Sequence, residues 1–320
     1  MISKRRLLIA ALFFATVVAG IYVAYRMWPS ERPSPAGVRT QHAEPPPVDE
    51  LRIPAGFKAR TGTAAEPYTN TGWAREIVHE ATAMEMVFIP AGSFQMGSKK
   101  LKQEKATQEL NSLGVPVDLS DEGPQHEVKI TNPFYMGRYE VTQDEWQKVM
   151  GNNPSHFKGS PRLPVDSVSW NDCQAFCQKI GSGMRLPTEA EWEYACRAGT
   201  NTWFSFGDDE AGMNACGWYS ENSAEKTHEV GSKKPNGWGL CDMHGNLWEW
   251  CSDWYSEGYR QELQSNDPTG PTKGRSRVFR GGCWNFSPSM CRSAIRFRYT
   301  PDFGNYYVGF RVVVSVGTGR

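Results

Sequence analysis

The longest uncharged stretch of the chain lies near its N-terminus, from Leu7 to Tyr25, directly after a basic run at positions 4–6. A helix of about 20 apolar residues can cross a bilayer, and flanking lysines and arginines favour the cytoplasmic side. We therefore expect residues 1–27 to be a signal anchor in the inner membrane, with the rest of the chain periplasmic or extracellular. The alternative is a secreted protein, because residues 17–19 (Val-Val-Ala) could pass for a cleavage site.

Residues 28–79 show no apolar periodicity and are rich in Pro, Ala, Arg and Glu, with three consecutive prolines at positions 45–47. Such a composition is typical of an extended linker, so we predict a spacer here. From Met86 the pattern changes, and residues 86–97 read as a strand, a turn and a second strand. We accordingly place one folded domain at residues 80–316.

Three helix starts are marked by a Thr or Ser that stands three residues before a carboxylate, the pattern of a capping box. A glycine, which adopts a left-handed conformation at little cost, marks each helix end. The predicted segments run from Thr142 to Gly151, from Ser169 to Gly181 and from Thr188 to Gly199. Each of these helices would be only two to three turns long.

After Thr200 there is no amphipathic helical pattern, and short apolar runs alternate with Gly, Asn, Asp and Trp. The 31 Gly, 21 Pro and 12 Trp residues also suit an irregular, loop-rich domain better than a helical bundle. We therefore predict an α+β fold with short helices and small antiparallel sheets. The 35 basic and 35 acidic residues balance, so no field favours a nucleic-acid partner.

Several segments together resemble the formylglycine-generating enzyme family, also called the sulfatase-modifying factor family. The matching segments are 88–97, 139–142, 164–170, 185–194, 236–240, 245–250, 280–282 and 309–311. The resemblance implies a fold related to C-type lectins. It also implies an O₂-dependent oxidase that converts a cysteine of a client protein, such as a sulfatase, into formylglycine. A relative that oxidises another extracytoplasmic substrate is equally compatible with the pattern.

The same resemblance implies a calcium site at Asp242, Gly245, Leu247 and Glu249, where the two middle residues would contribute backbone oxygens. Two carboxylates that bracket a turn with inward carbonyls suit Ca²⁺, which prefers a flexible shell of oxygen ligands. The alternative is that Asp242 and Glu249 only cap turns or pair with arginine.

The family's oxidases hold Cu(I) between two thiolates, and thiolates are suitable soft ligands for that ion. In the resemblance, Cys291 matches the second of these cysteines, whereas Phe286 stands at the first and Cys283 replaces the serine of the preceding turn. We predict that Cys283 and Cys291 form a substitute pair as catalytic residues. The alternative, also implied by relatives with cysteines at both positions, is a structural disulfide between Cys251 and Cys291.

A binding module without chemistry is the other functional interpretation. Between positions 284 and 307, aromatic residues alternate with arginines, and such side chains make good anchors in a ligand-facing pocket. The residues predicted to face a small extracytoplasmic ligand are Trp284, Arg292, Arg296, Tyr299 and Tyr306.

Overall fold

The apolar segment that begins near Met86 contributes its first strand to a six-stranded sheet with the strand order β1-β2-β3-β6-β12-β7. The structure is a computed structural model, and it describes residues 51–99, 104, 107, 119–257 and 265–316. All the pairings in this sheet are antiparallel. The six strands are β1 (Phe57–Ala59), β2 (Glu76–His79), β3 (Glu85–Ile89), β6 (Phe134–Gly137), β7 (Met184–Arg185) and β12 (Val313–Ser315).

A four-stranded sheet with the order β10-β9-β8-β11 carries the C-terminal half of the domain. Its strands are β8 (Trp248–Trp254), β9 (Arg277–Arg280), β10 (Arg296–Tyr299) and β11 (Val308–Gly309). The β11–β8 pair is parallel and the others are antiparallel. A third sheet pairs β4 (Gly92–Met96) with β5 (His126–Ile130). Small, mainly antiparallel sheets and short helices confirm the predicted α+β fold.

The three predicted helices form, and a complete capping box begins each of them. They are α1 (Gln143–Met150), α2 (Trp170–Ile180) and α3 (Glu189–Arg197); a single turn, α4 (Met213–Cys216), follows later. Helices α1 and α2 end at Gly151 and Gly181 as predicted. Helix α3 ends one residue early, because Ala198 takes the left-handed conformation and its N–H donates to the Tyr194 carbonyl.

The predicted spacer at 28–79 is wrong over its second half, because residues 51–79 are folded. Strand β1 pairs with β2 and β2 with β3, so this segment forms one edge of the six-stranded sheet. The turn before β2 is held by the carboxylate of Glu66, which accepts hydrogen bonds from the backbone and hydroxyl groups of Thr69 and Thr71. Such short strands and polar turns lack the long apolar period on which the sequence interpretation relied.

Residues 28–50 and the predicted anchor at 1–27 lie outside the described residues. Within the part of the chain that the structure describes, no helix is long and apolar enough to cross a membrane.

Asp253 on β8 is buried; one of its oxygens accepts from the backbone N–H of Glu189 at 2.8 Å, and the other, Oδ1, has no partner within the described part of the chain. Burial, and then the charge of Glu189, raises the pKa of Asp253 to about 7. Between about pH 4 and 7 the folded state therefore keeps a proton that the unfolded state releases. We expect this group to lower the free energy of unfolding as pH rises, by at most about 1.4 kcal/mol per pH unit.

Urea unfolding at several pH values tests this prediction with Asp253→Asn as the comparison. The variant should lose the part of the pH slope that Asp253 contributes. The difference in the free energy of unfolding, variant minus natural protein, should therefore be more positive above pH 7 than at pH 4. Identical slopes for the two proteins would contradict the prediction.

Candidate functional site

A double-glycine turn after β9 brings Cys283 next to Cys291. Gly281 and Gly282 both have a positive φ, at 99° and 75°. A methyl group on Gly282 would lie 2.5 Å from the Cys291 Sγ and 2.6 Å from the Met290 carbonyl oxygen, so a larger residue would not fit. The Cys291 sulfur therefore lies against the residue that directly precedes Cys283. The structure thus places the two predicted catalytic cysteines side by side.

Both thiols are fully buried. Burial raises the pKa of Cys291 to about 12 and holds the pKa of Cys283 well above its ordinary value. The Cys283 thiol donates to the Asn285 Oδ1 at 3.0 Å. The protonated thiols are therefore weak nucleophiles, and a thiolate pair would form here only with a compensating cation.

His244 fixes the backbone of Cys291 through a hydrogen bond to its carbonyl oxygen. Its Nδ1 lies 2.8 Å from the Cys291 carbonyl oxygen, which can only accept, so Nδ1 carries the proton. Its Nε2 accepts from the Ser205 backbone N–H at 3.1 Å. Burial lowers the pKa of His244 to about 4, so the ring is neutral. Sequence reasoning missed this residue because it has no histidine or carboxylate partner at a recognisable spacing.

The predicted Cys251–Cys291 disulfide does not form in this structure. All eight cysteines of the chain lie in the described part and are free thiols. Cys251 packs on β8 in the cluster around Trp192, whereas Cys291 packs with Phe204 and Tyr219.

An open cavity of about 550 Å³ lies beside the turn that carries Cys283. We call it the aromatic cavity, and its described lining residues are His156, Phe157, Ser220, Ser223, Glu225, Trp284, Asn285 and Tyr306. The Phe157 ring is nearly perpendicular to the rings of Trp284 (88°) and Tyr306 (82°). Trp284 and Asn285 follow Cys283 directly, so the cavity and the thiol pair share one turn.

Three hydrogen bonds hold loops of the aromatic cavity in place. The Asp166 carboxylate accepts from the backbone N–H groups of His156 at 2.7 Å and Phe157 at 3.3 Å. The Ser223 hydroxyl donates to the Trp284 carbonyl at 2.8 Å. The Asp166 bonds fix the loop at 156–157 locally, and the Ser223 bond joins two loops that are 61 positions apart in the sequence.

Of the residues predicted to face a ligand, Trp284 and Tyr306 line the aromatic cavity. Tyr299 is exposed but lies on β10, stacked on Phe303, and does not line it. The prediction is wrong for Arg292 and Arg296, which are buried in ion pairs with Glu122 and Glu189, both at 2.7 Å. A buried guanidinium requires such partners, so these arginines stabilise the core instead of facing solvent.

Of the two carboxylates predicted to bind calcium, only Asp242 has an oxygen available for a cation. The Glu249 carboxylate is occupied, because both its oxygens accept from Arg311 at 2.6 Å and one also accepts from the Trp192 Nε1 at 2.7 Å. Asp242 is buried, and its Oδ1 has no partner among the described residues. In the described part of the chain, no three His, Cys, Asp or Glu side chains converge as metal ligands.

The Asp242 region carries more buried acid than base. Glu140 lies beside it and accepts from the Leu247 backbone N–H at 3.1 Å. Burial, and then the charges of Asp242 and Glu249, holds the pKa of Glu140 well above its usual range, and burial raises the pKa of Asp242 to about 6. The buried Arg311 guanidinium attracts all three carboxylates, those of Glu140, Asp242 and Glu249, electrostatically. A proton or a bound cation is therefore needed for compensation.

Comparison with known proteins agrees with the arrangement of this domain. A family model described as the sulfatase-modifying factor enzyme 1-like domain matches residues 74–316. The formylglycine-generating enzyme of Bos taurus is 32% identical over 295 residues, with 71% of this chain and 74% of that protein covered. The enzyme of Streptomyces coelicolor is 42% identical over 181 residues, but this covers 52% of this chain and 57% of that protein.

Solved structures give the same result. Treponema denticola variable protein 1 has a TM-score of 0.62 at 31% identity, and PvdO from Pseudomonas aeruginosa has 0.62 at 29%. Each match covers 73% of this chain and 95% of the other. The chain therefore belongs to the sulfatase-modifying factor family.

Proposed function

We propose that the domain is an O₂-dependent oxidase of the formylglycine-generating type, in which Cys283 and Cys291 replace the usual pair of cysteines. The packing of the Cys291 sulfur against Gly282 carries this proposal, because it brings Cys291 to the turn that holds Cys283 and whose next two residues line an open cavity. The client would be a sulfatase or another extracytoplasmic substrate. The uncharged run at 7–25 supports that location for the domain.

The thiols are a suitable donor set for Cu(I), which selects soft sulfur ligands. A bound Cu(I) ion would supply the activation of O₂. The chain would hold the ion with Cys283 and Cys291, while the hydrogen bond from His244 fixes the Cys291 backbone. The aromatic cavity would hold the client next to the thiols and displace water from the Trp284 ring.

Incubation of the purified chain with copper, O₂ and a Cys-x-Pro-x-Arg peptide tests the proposed reaction. We expect an aldehyde that reacts with a hydrazide reagent and is absent with Cys291→Ser. Cys177→Ser is the control, because Cys177 is another buried thiol with its pKa raised to about 12, but it lies on α2. Absence of the aldehyde would rule out the proposed formylglycine reaction for this chain.

The second candidate function is ligand binding without chemistry. It is favoured by the burial of both thiols, which raises their pKa values and so disfavours the thiolate form. Specific ligand binding that depends on Trp284, without aldehyde formation or copper binding, would support this function over the first.

We further propose that Ca²⁺ binds at Asp242 and the backbone oxygens of Gly245 and Leu247, while Glu249 stays paired with Arg311. The unpartnered Asp242 Oδ1 and the surplus of buried carboxylates support this site. Since a ligand that binds only the folded state stabilises it, Ca²⁺ at about 100 times its Kd should add ~2.7 kcal/mol to the free energy of unfolding.

Thermal unfolding with Ca²⁺ and with a chelator measures this stabilisation. Asp242→Asn should abolish the calcium effect, whereas Asp302→Asn, at an exposed turn position, should preserve it. A calcium-dependent shift of equal size in Asp242→Asn would place the ion elsewhere.

A further inference from the structure

The aromatic cavity is lined by rings on several sides and has a carboxylate among its lining residues. Glu225 contributes that carboxylate, and the described lining residues include no lysine or arginine. The ammonium group of Lys158, next to Phe157 in the chain, is bonded to the Asn153 carbonyl at 3.0 Å. Glu225 is therefore the only carboxylate among the described lining residues, and no lysine or arginine balances its charge there.

The rings contact one another at several different angles instead of stacking as one flat surface. The Trp284 and Tyr306 rings are inclined by 31° with centroids 6.0 Å apart, and Phe157 stands nearly perpendicular to both. The His156 ring lies 5.1 Å from that of Tyr306. Aromatic rings attract a cation electrostatically, and several rings at right angles contact a rounded cationic group from different directions.

Several polar side chains of the lining already have partners, which limits what kind of cation fits. The Asn285 Oδ1 accepts from the Cys283 thiol, and the Ser223 hydroxyl donates to the Trp284 carbonyl. A primary ammonium group brings three N–H donors that would need acceptors on burial. A methylated ammonium group has few or no N–H donors and keeps its charge, so it matches this lining better.

We propose that the aromatic cavity binds an organic cation with a quaternary or methylated ammonium group. Trp284, Tyr306 and Phe157 contact the methyl groups, and Glu225 compensates the charge. This inference rests on the proposed function only in using the same cavity as the substrate site. It requires neither copper nor the thiols.

Calorimetric titration at pH 8 tests the proposal with choline and with 3,3-dimethylbutanol, its uncharged analogue of the same shape. The chain is used without copper, so that oxidase activity plays no part. We expect choline to bind about 5- to 30-fold more tightly than the alcohol, the range that a desolvated cation–π contact corresponds to. Glu225→Gln should weaken choline binding and leave the alcohol unaffected.

Tyr306→Leu should weaken choline binding by a similar factor, and Tyr306→Phe should keep it. Tyr299→Leu is the matched control, because Tyr299 is exposed to a similar extent, at 44% against 40%, and lies outside the cavity. Equal affinities for choline and the alcohol, no binding of choline, or equal losses in the Tyr299 and Tyr306 variants would overturn the proposal. Choline binding without aldehyde formation would overturn only the oxidase function. Aldehyde formation without choline binding would overturn only this inference.

Discussion

Arg311→Met should lower the free energy of unfolding by about 3–5 kcal/mol, as expected when one partner of a buried ion pair is removed. The Arg311 guanidinium is fully buried and binds both oxygens of Glu249 at 2.6 Å. It also donates to the carbonyls of Gly137 and Cys241, both at 3.0 Å. Its loss would leave Glu249 without charge compensation near two further buried carboxylates, Glu140 and Asp242.

Urea denaturation of the calcium-free chain measures this effect. Arg298→Met is the control, because the Arg298–Glu257 pair is exposed and should contribute at most ~1 kcal/mol. Adding Glu249→Gln to Arg311→Met should recover part of the loss, since the uncompensated charge is then gone. Similar small losses for the Arg311 and Arg298 variants would contradict the assigned role of this ion pair.

Cys291→Ser should weaken Cu(I) binding by at least about 100-fold, because even residues that only support a metal ligand contribute 10- to 100-fold. Serine offers a hard hydroxyl in place of the soft sulfur that Cu(I) selects. Cys283→Ser should have an effect of the same order, since the account requires both thiols. Competition with a coloured Cu(I) chelator under anaerobic conditions measures these affinities.

Cys251→Ser provides a second comparison for copper binding, because Cys251 is equally buried but packs around Trp192 in another cluster. Its affinity for Cu(I) should equal that of the natural chain. If Cys283→Ser binds copper normally, then Cys283 is not a ligand and the substitute pair is refuted.

The parts of the fold that depend on local chemistry could be predicted from the sequence. The helices at Thr142, Ser169 and Thr188 begin as predicted, because a capping box satisfies backbone N–H groups within four residues of chain. The N-terminal strands β1 and β2 could not be found this way. Their stability comes from the pairing of β1 with β2 and of β2 with β3, and not from a pattern of their own.

The site was predictable only in part for a similar reason. Cys283 and Cys291 are eight positions apart, so a short motif could propose them as a pair, and that pairing stays a prediction. The aromatic cavity combines loops near positions 156, 220–225, 284 and 306, and no local signal links these. Arg292 and Arg296 were placed wrongly because their partners, Glu122 and Glu189, lie more than 100 residues away in the sequence.

The central claim is that Cys283 and Cys291 form one metal-binding pair beside the aromatic cavity. Copper K-edge X-ray absorption on the chain loaded with equimolar Cu(I) tests it most directly. The account predicts a Cu(I) ion with two sulfur ligands in the natural chain, and loss of one of them in either Cys283→Ser or Cys291→Ser. A spectrum of nitrogen and oxygen ligands, or a two-sulfur site that survives both substitutions, would contradict it.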